Sequence, residues 1–413
     1  MSRLYLPRAW WLSTGLYLAS VFYLLFQGGK TSLMLFVIFN ALVLYLILGR
    51  WSGIAGIQGA RTVQLREGQS ALLTAGMRLT VNLQIQIPGF WPLPYIIVRE
   101  KLARLNSGDN QLYEVSVVPD YRRKGEIQFE SAPLRRGRYQ FQTTDCSTRD
   151  IFGLLEHRGT FYQPMDIQVV PRSIQLKDWQ LIRRSERGMF QHTYTSRWAR
   201  ETTQIDGVRE YIHGDRLSRI HWNATAKTGE WKSKEFEREA LPRVVFVLDR
   251  NAAAYSRADQ FELAVSVAAS VVELSILKGM PVGFVSAGER SYWFGEGRSH
   301  VTREEILQHL VDVEPDGAQT MGDLLCQVAE RYEPGIHIVM IGASTEHPAL
   351  STAVNAISAK RMVPSVIHIA DPHADQLDAP RLRKWQLWCQ SKDWDFCSVN
   401  QLDKLPQALG VGA

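Results

Sequence analysis

Residues 243–249 read RVVFVLD, five apolar residues in a row closed by an aspartate. So short and uniformly apolar a run fits a strand covered on both faces. The polar cluster after it, with Ser256 and Asp259 spaced as a capping box, fits the start of a long helix through Lys278. MPVGFVSA at 280–287 then reads as a second buried strand, and strand, helix and strand in that order predict a parallel sheet. Further along, the chain suggests helices around 302–312 and 321–332, the strand GIHIVMIGA at 335–343, a helix near 347–360 and the strand VPSVIHIA at 363–370. Sustained alternation of this kind predicts a doubly wound α/β domain over 243–413.

Toward the N-terminus the texture changes. In RLTVNLQIQI, Leu79, Val81, Leu83, Ile85 and Ile87 alternate with Thr80, Asn82, Gln84 and Gln86, the period of a half-buried strand. LYEVSVV, GEIQFES and GRYQFQT are shorter runs of the same kind, separated by the turn signals NSGDN, RRKG and PLRRG. An antiparallel β-sandwich-like domain over 56–175 is the expectation.

The first 55 residues differ again. From Ala9 to Phe26 and from Leu33 to Leu48 no side chain is more ionisable than tyrosine, and only QGGKTS intervenes. Two helices over about 9–26 and 32–49 would make a transmembrane hairpin. A cleaved signal peptide would explain the first run and leave the second unexplained. Trp10, Trp11 and Trp51 stand at the run ends, where indole rings prefer the headgroup level. Arg3 and Arg8 precede the first run, Arg50 and Arg61 follow the second, and only Lys30 lies between. The positive-inside bias therefore predicts an inner-membrane, multi-pass protein with both termini and the soluble domains in the cytoplasm, in contact with the lipid bilayer.

The remaining stretch, 176–242, reads as a linker whose second half, GVREYIHGDRLSRIHWNATAKTGEWKSKEFERE at 207–239, is the densest functional signal in the chain. Gly214 and Asp215 suggest a turn in which the carboxylate accepts backbone N–H bonds. Arg209, Arg216 and Arg219 can fork onto carboxylates, with Asp215–Arg219 the expected pair and Trp222 stacked beneath; Ala226 completes the candidate binding surface. The same run can instead be a strand-and-turn clasp onto the α/β domain. His213 and His221 lack helical metal-pair spacing. Arg183, Arg184, Arg187, Arg197, Trp198 and Arg200 form a basic, aromatic-interleaved run, but a net charge of +5 over 413 residues is too mild to indicate nucleic acid. That run suits anionic lipid or an acidic partner better.

Other signals fall away. GGKTS at 28–32 lacks the earlier glycine of a phosphate loop, and GEGRSH at 295–300 lacks the third glycine of a dinucleotide fingerprint. Neither GxSxG nor HExxH occurs. Cys146, Cys326, Cys389 and Cys397 are scattered without metal spacing and read as free thiols.

RRGRYQFQTTDCSTRDIFGLLEHR followed by GDRLSRIHWNATAKTGEWKSKEF resembles the bacterial Domain of Unknown Function 58 family, in the family's order over about 130–370. The resemblance implies two membrane helices, a β domain and a von Willebrand factor A-like α/β domain. It also implies association with MoxR-type AAA+ ATPases and transglutaminase-like membrane proteins in an assembly, chaperone or envelope-related role. The metal site typical of the von Willebrand factor A fold would fall on Asp249, Asn251 and Thr320. Here both serines of the first loop are absent, Asn251 offers an amide oxygen, and the third loop, IGAST, brings no carboxylate. Magnesium loses affinity as oxygen ligands disappear, so the expectation is an interaction protein without a cofactor, with Asp249 bracing the sheet edge. A metal-dependent enzyme acting on an envelope substrate and a purely structural scaffold remain the alternatives.

Overall fold

The structure, a computed structural model, describes residues 8–51, 53–64, 72–89, 92–150, 153, 156–179, 200–239, 243–297, 300–344, 353, 356–371, 379–392 and 394–410. The basic run at 183–199 lies outside them. The chain divides into two compact units, Met1–Val170 and Pro171–Ala413.

The first unit opens with two helices, α1 (Arg8–Gln27) and α2 (Lys30–Trp51). Gly28 and Gly29 turn the chain between them at φ of 54° and 101°, a region glycine enters without steric cost. The helices lie side by side: the Tyr17 hydroxyl donates to Asn40 Oδ1 at 3.4 Å, and the Tyr17 and Phe36 rings are 6.3 Å apart. Their outer apolar side chains, Leu25 and Phe26 among them, are exposed. Among the described residues the helix both long and apolar enough to cross a membrane is Ala258–Leu277, which is mostly buried inside the second unit; Tyr17–Gln27 and Lys30–Tyr45 are apolar but shorter.

Nine strands follow: β1 (Gln58–Gln64), β2 (Thr80–Gln86), β3 (Ile96–Arg104), β4 (Asn110–Val117), β5 (Lys124–Glu130), β6 (Gly137–Phe141), β7 (Thr144–Arg149), β8 (Glu156–Phe161) and β9 (Met165–Val169). They form two antiparallel sheets, β1-β2-β5 and β8-β7-β3-β6-β9, with β4 also paired to β3. The alternation read in 79–87 is realised, since Leu79, Val81, Leu83, Ile85 and Ile87 are buried while Gln84 and Gln86 face solvent. Leu83, Ile85 and Ile127 of one sheet meet Ile96, Val98 and Cys146 of the other in a shared core.

That core holds a charge the sequence pattern had assigned elsewhere. Arg61, counted above among the cations flanking the membrane runs, is buried between the sheets. Its guanidinium lies 2.8 Å from Glu100 Oε2 and 4.2 Å from the centre of the Phe141 ring, and the Thr144 hydroxyl donates to Glu100 Oε1 at 2.8 Å. A guanidinium fixed this way is committed inside the fold and does not count toward the charge bias expected from the sequence.

In the second unit, 171–179 pack onto the α/β core, with Trp179 stacked at 6.4 Å on Phe246. The expected linker carries an antiparallel ribbon of β10 (Arg200–Glu210) and β11 (Lys232–Glu239), with a 3-10 turn at Leu217–Arg219 and α3 (Trp222–Thr228) between them. The α/β body runs β12 (Val244–Asp249), α4 (Ala258–Leu277), β13 (Val282–Ala287), β14 (Tyr292–Gly297), α5 (His300–Asp312), α6 (Met321–Arg331), β15 (His337–Gly342), β16 (Val363–Ile369), α7 (Ala379–Ser391), β17 (Asp395–Val399) and α8 (Leu405–Ala408). Residues 356–359, inside the helix expected near 347–360, are helical.

Among the described residues the sheet order is β14-β13-β12-β15-β16-β17. All pairs are parallel except β13–β14, and the GEG of 295–297 ends the antiparallel edge strand β14. Val244, Phe246 and Leu248 enter one apolar core, with α4 and α5, while Val245 and Val247 enter the other, with α6 and α7. Both faces of β12 are therefore covered, which is why its sequence shows no polar alternation.

The capping box expected from Ser256 and Asp259 is not what starts α4. The residue before the helix is Arg257, which makes no side-chain cap. Gln260, one position further on than Asp259, reaches back to accept from Ser256 N at 3.0 Å and donates to Ile369 O at 2.8 Å, tying the helix start to β16. The four cysteines are free.

Candidate functional site

The ribbon ends in a compact tip over 211–231. Tyr211 N donates to Trp231 O at 2.9 Å, and the chain then turns at 212–215, where Gly214 has φ 111°. Asp215 holds this turn, accepting from Ile212 N at 3.2 Å and from the Arg209 guanidinium at 2.8 Å. The Arg209 bond first, and the Ile212 bond after it, keep the carboxyl below its ordinary pKa. The expected partner of Asp215 is Arg219; the geometry selects Arg209, which comes off the end of strand β10 across the loop, while Arg219 ends the 3-10 turn. Ile220 is buried and bridges Ser233, so the chain runs briefly beside β11. His221 then caps α3, its Nδ1 accepting from Ala224 N at 3.1 Å, and Gly229 closes the helix at φ 71°.

Trp222 does not lie under the arginines. Its ring is tilted against Trp231 at 6.4 Å, and Trp231 meets Tyr211 at 5.6 Å. Ala226 lies on α3 and is exposed, as are His213 and Arg216.

A second candidate lies at the carboxyl edge of the α/β sheet. The chain leaves β12 toward β13 on one side and later returns to β15 on the other, so the β12/β15 boundary is a topological switch point, where ligands of open α/β sheets gather. Asp249 ends β12 there and is buried. Its Oδ1 accepts from Asn251 N at 2.9 Å, whereas Oδ2 has no hydrogen-bond partner among the described residues. Burial pushes the carboxyl up to about 6. Close packing holds it, because a Cβ on Gly342 of β15 would come within 2.6 Å of Asp249 Cβ.

Arg250 is the brace that sequence reasoning missed. Its guanidinium donates to Glu314 O at 2.9 Å and Arg290 O at 3.1 Å and pairs with Asp316 at 2.5 Å, locking the loops after β12, β14's hairpin turn and α5 together. Gly317 N donates to Arg250 O at 2.9 Å and Ala252 N to Gly317 O at 3.0 Å. The Tyr255 hydroxyl donates to Asp249 O at 2.6 Å. No residue type in that sequence signals these bonds, since they depend on loops brought together by the sheet order.

The residues present do not fit a divalent cation. Asn251 Oδ1 accepts from Ala253 N at 2.9 Å while its amide nitrogen donates to Gln319 O at 3.3 Å. Thr320 is the N-cap of α6 and its hydroxyl donates to Asp323 Oδ2 at 2.7 Å. Of the three proposed ligands only Asp249 keeps an uncommitted oxygen, and magnesium asks for near-octahedral oxygen coordination. Among the described residues no group of three or more histidine, cysteine or acidic side chains is placed to hold a metal. Ser286 Oγ and His309 Nε2 are 2.6 Å apart, but Ser286 is fully buried, out of reach of any substrate.

Residues 207–387 match the model of the family described as "Protein of unknown function DUF58". The chain carries a DUF58 domain. The match begins within β10 and ends within α7, so the DUF58 region joins the ribbon tip to the α/β body. Over 317 residues, 73% of each chain, the protein is 29% identical to the uncharacterized protein YeaD of Bacillus subtilis (strain 168). Among solved structures it is similar to proximal thread matrix protein 1 of the mussel byssus, at 12% identity and a TM-score of 0.29 over 41% of this chain and 45% of that one. The protein thus spans less than half of that structure. The C-terminal domain of wzt gives a TM-score of 0.24 at 12% identity, over 30% of this chain and 80% of the other. Scores this low carry no argument about either unit.

Proposed function

We propose that this DUF58 protein is a membrane-anchored interaction protein whose α/β body is von Willebrand factor A-like and recruits a MoxR-type AAA+ ATPase at its strand carboxyl edge. The observation that carries the reading is the switch point at β12/β15, with its loops pre-locked by Arg250 and Asp249. Rigid loops on a sheet edge lose little entropy on binding. The strand order, with a single antiparallel strand at the β14 edge, supports the von Willebrand factor A likeness. Two consecutive apolar helices with exposed outer faces support the hairpin anchor.

Asp249 is buried, so in this reading it positions the edge, and the contacts come from neighbouring exposed residues such as Ala252 and Ala253. The test is co-elution of the full chain, in detergent, with the MoxR-type ATPase of the same cell. The wild type co-elutes, and Ala253→Arg, an exposed change in the 3-10 turn Ala252–Ala254, abolishes co-elution without altering the melt. Wild type that never meets the ATPase would end the proposal.

A further inference from the structure

The ribbon tip exposes apolar and basic side chains together. Ile212, Leu217, Trp222 and Trp231 are 63%, 67%, 63% and 52% exposed, and all lie beyond the last ribbon pair, Glu210–Lys232. Isolated exposed apolar residues are ordinary, but four in one small loop mark a contact surface. Over 208–234 six cationic side chains stand against three anionic ones, leaving +3. Arg209 is neutralised by Asp215, and Lys232 lies 3.4 Å from Glu210 and Glu230; Arg216 and Lys227 are exposed.

We propose that the 211–231 tip docks on an anionic phospholipid surface. Two tryptophans, two aliphatic side chains and a surplus of basic residues are the composition that settles at a headgroup layer, indoles at the polar boundary and cations on phosphates. The inference rests on the hairpin reading in one respect: a chain already tethered to the bilayer presents its tip at high effective concentration, and modest intrinsic affinity then suffices.

The experiment is hydroxyl-radical footprinting of the full chain in nanodiscs of zwitterionic lipid, with and without added anionic phospholipid. Oxidation of Trp222 and Trp231 is read by mass spectrometry against Tyr121, which is 87% exposed on the other unit. The expected result is several-fold slower oxidation of both tryptophans in anionic discs, reversed by salt. Replacing Arg216 or Lys227 by glutamine should weaken the contact about fivefold per charge removed. Because both side chains are exposed, these variants keep the fold.

Equal oxidation in the two disc types overturns the proposal. Protection in zwitterionic discs that appears only when the AAA+ ATPase is added assigns the tip to a protein and overturns it as well. If the chain fails to enter discs, the hairpin reading falls by itself, and the tip is read by mixing the chain with anionic vesicles, where unprotected tryptophans again contradict the proposal.

Discussion

The two units solve burial in opposite ways. In the β unit, β2 alternates buried and solvent-facing residues, and the core between the sheets admits a complete ion pair, Arg61–Glu100, with side chains 0% and 2% exposed. In the α/β unit every residue of β12 is buried, both cores take only apolar side chains from it, and its single charge, Asp249, is held at the strand's end. An antiparallel sheet with one wet face tolerates a polar residue that points inward if a partner points back. β12, sandwiched between helix layers, instead carries its one polar side chain at its carboxyl end, on the edge where ligands of open α/β sheets gather.

Breaking the ion pair gives the largest expected effect. Arg61→Met leaves Glu100 buried and uncompensated, and the cost to the β unit is about 3–5 kcal/mol in a denaturant melt. Adding Glu100→Leu should recover most of that loss, because two apolar side chains need no partner. A double variant as unstable as the single one would show that the pair is needed for more than charge balance.

Phe246→Ala tests the other side of the comparison. It empties a fully buried site between β12 and α4 and should cost about 3–5 kcal/mol, while Gln84→Ala on the wet face of β2 stays within about 0.5 kcal/mol. Comparable losses at the two positions would contradict the contrast between one-faced and two-faced burial.

Asp249 sharpens the comparison through pH. Its folded pKa of about 6 stands above the ordinary 3.8, so between those values the native state binds the proton that the unfolded state has released. Stability therefore falls as pH rises from about 4 to about 6 and is flat above, a loss of at most about 3 kcal/mol. Asp249→Asn keeps an oxygen for Asn251 N, removes this slope and should melt higher than wild type at neutral pH. An unchanged slope in the variant would place the titration elsewhere. A smaller effect than at Asp249 is expected at the ribbon tip, where Gly229→Ala puts a side chain at φ 71° and costs about 1 kcal/mol, seen as faster amide exchange in α3.

Much of this architecture was legible in the residues. Period-two alternation marked β2, β4, β5 and β6, and continuous apolar runs marked β12, β13, β15 and β16, because burial on one or two faces writes itself directly into sequence. The last elements escaped. DFCSV of β17 is a short edge strand with little apolar signal, and α7, APRLRKWQLWCQS, buries Trp385 and Cys389 among charged neighbours. The turn at Gly214–Asp215 was readable, but the choice of Arg209 over Arg219 was not, since it depends on how the ribbon brings residue 209 back across the loop. Arg250 shows the same limit more strongly: its three partners lie 40 to 66 residues away in sequence.

We propose that the edge beside Asp249 recruits the AAA+ ATPase. The most direct measurement is the affinity of that ATPase for the full chain in detergent, compared between wild type, Ala253→Arg and the Arg61→Met/Glu100→Leu pair. The edge variant should bind at least about tenfold more weakly, some 1.4 kcal/mol, while the core pair binds like wild type. An edge variant that binds with undiminished affinity would contradict the account.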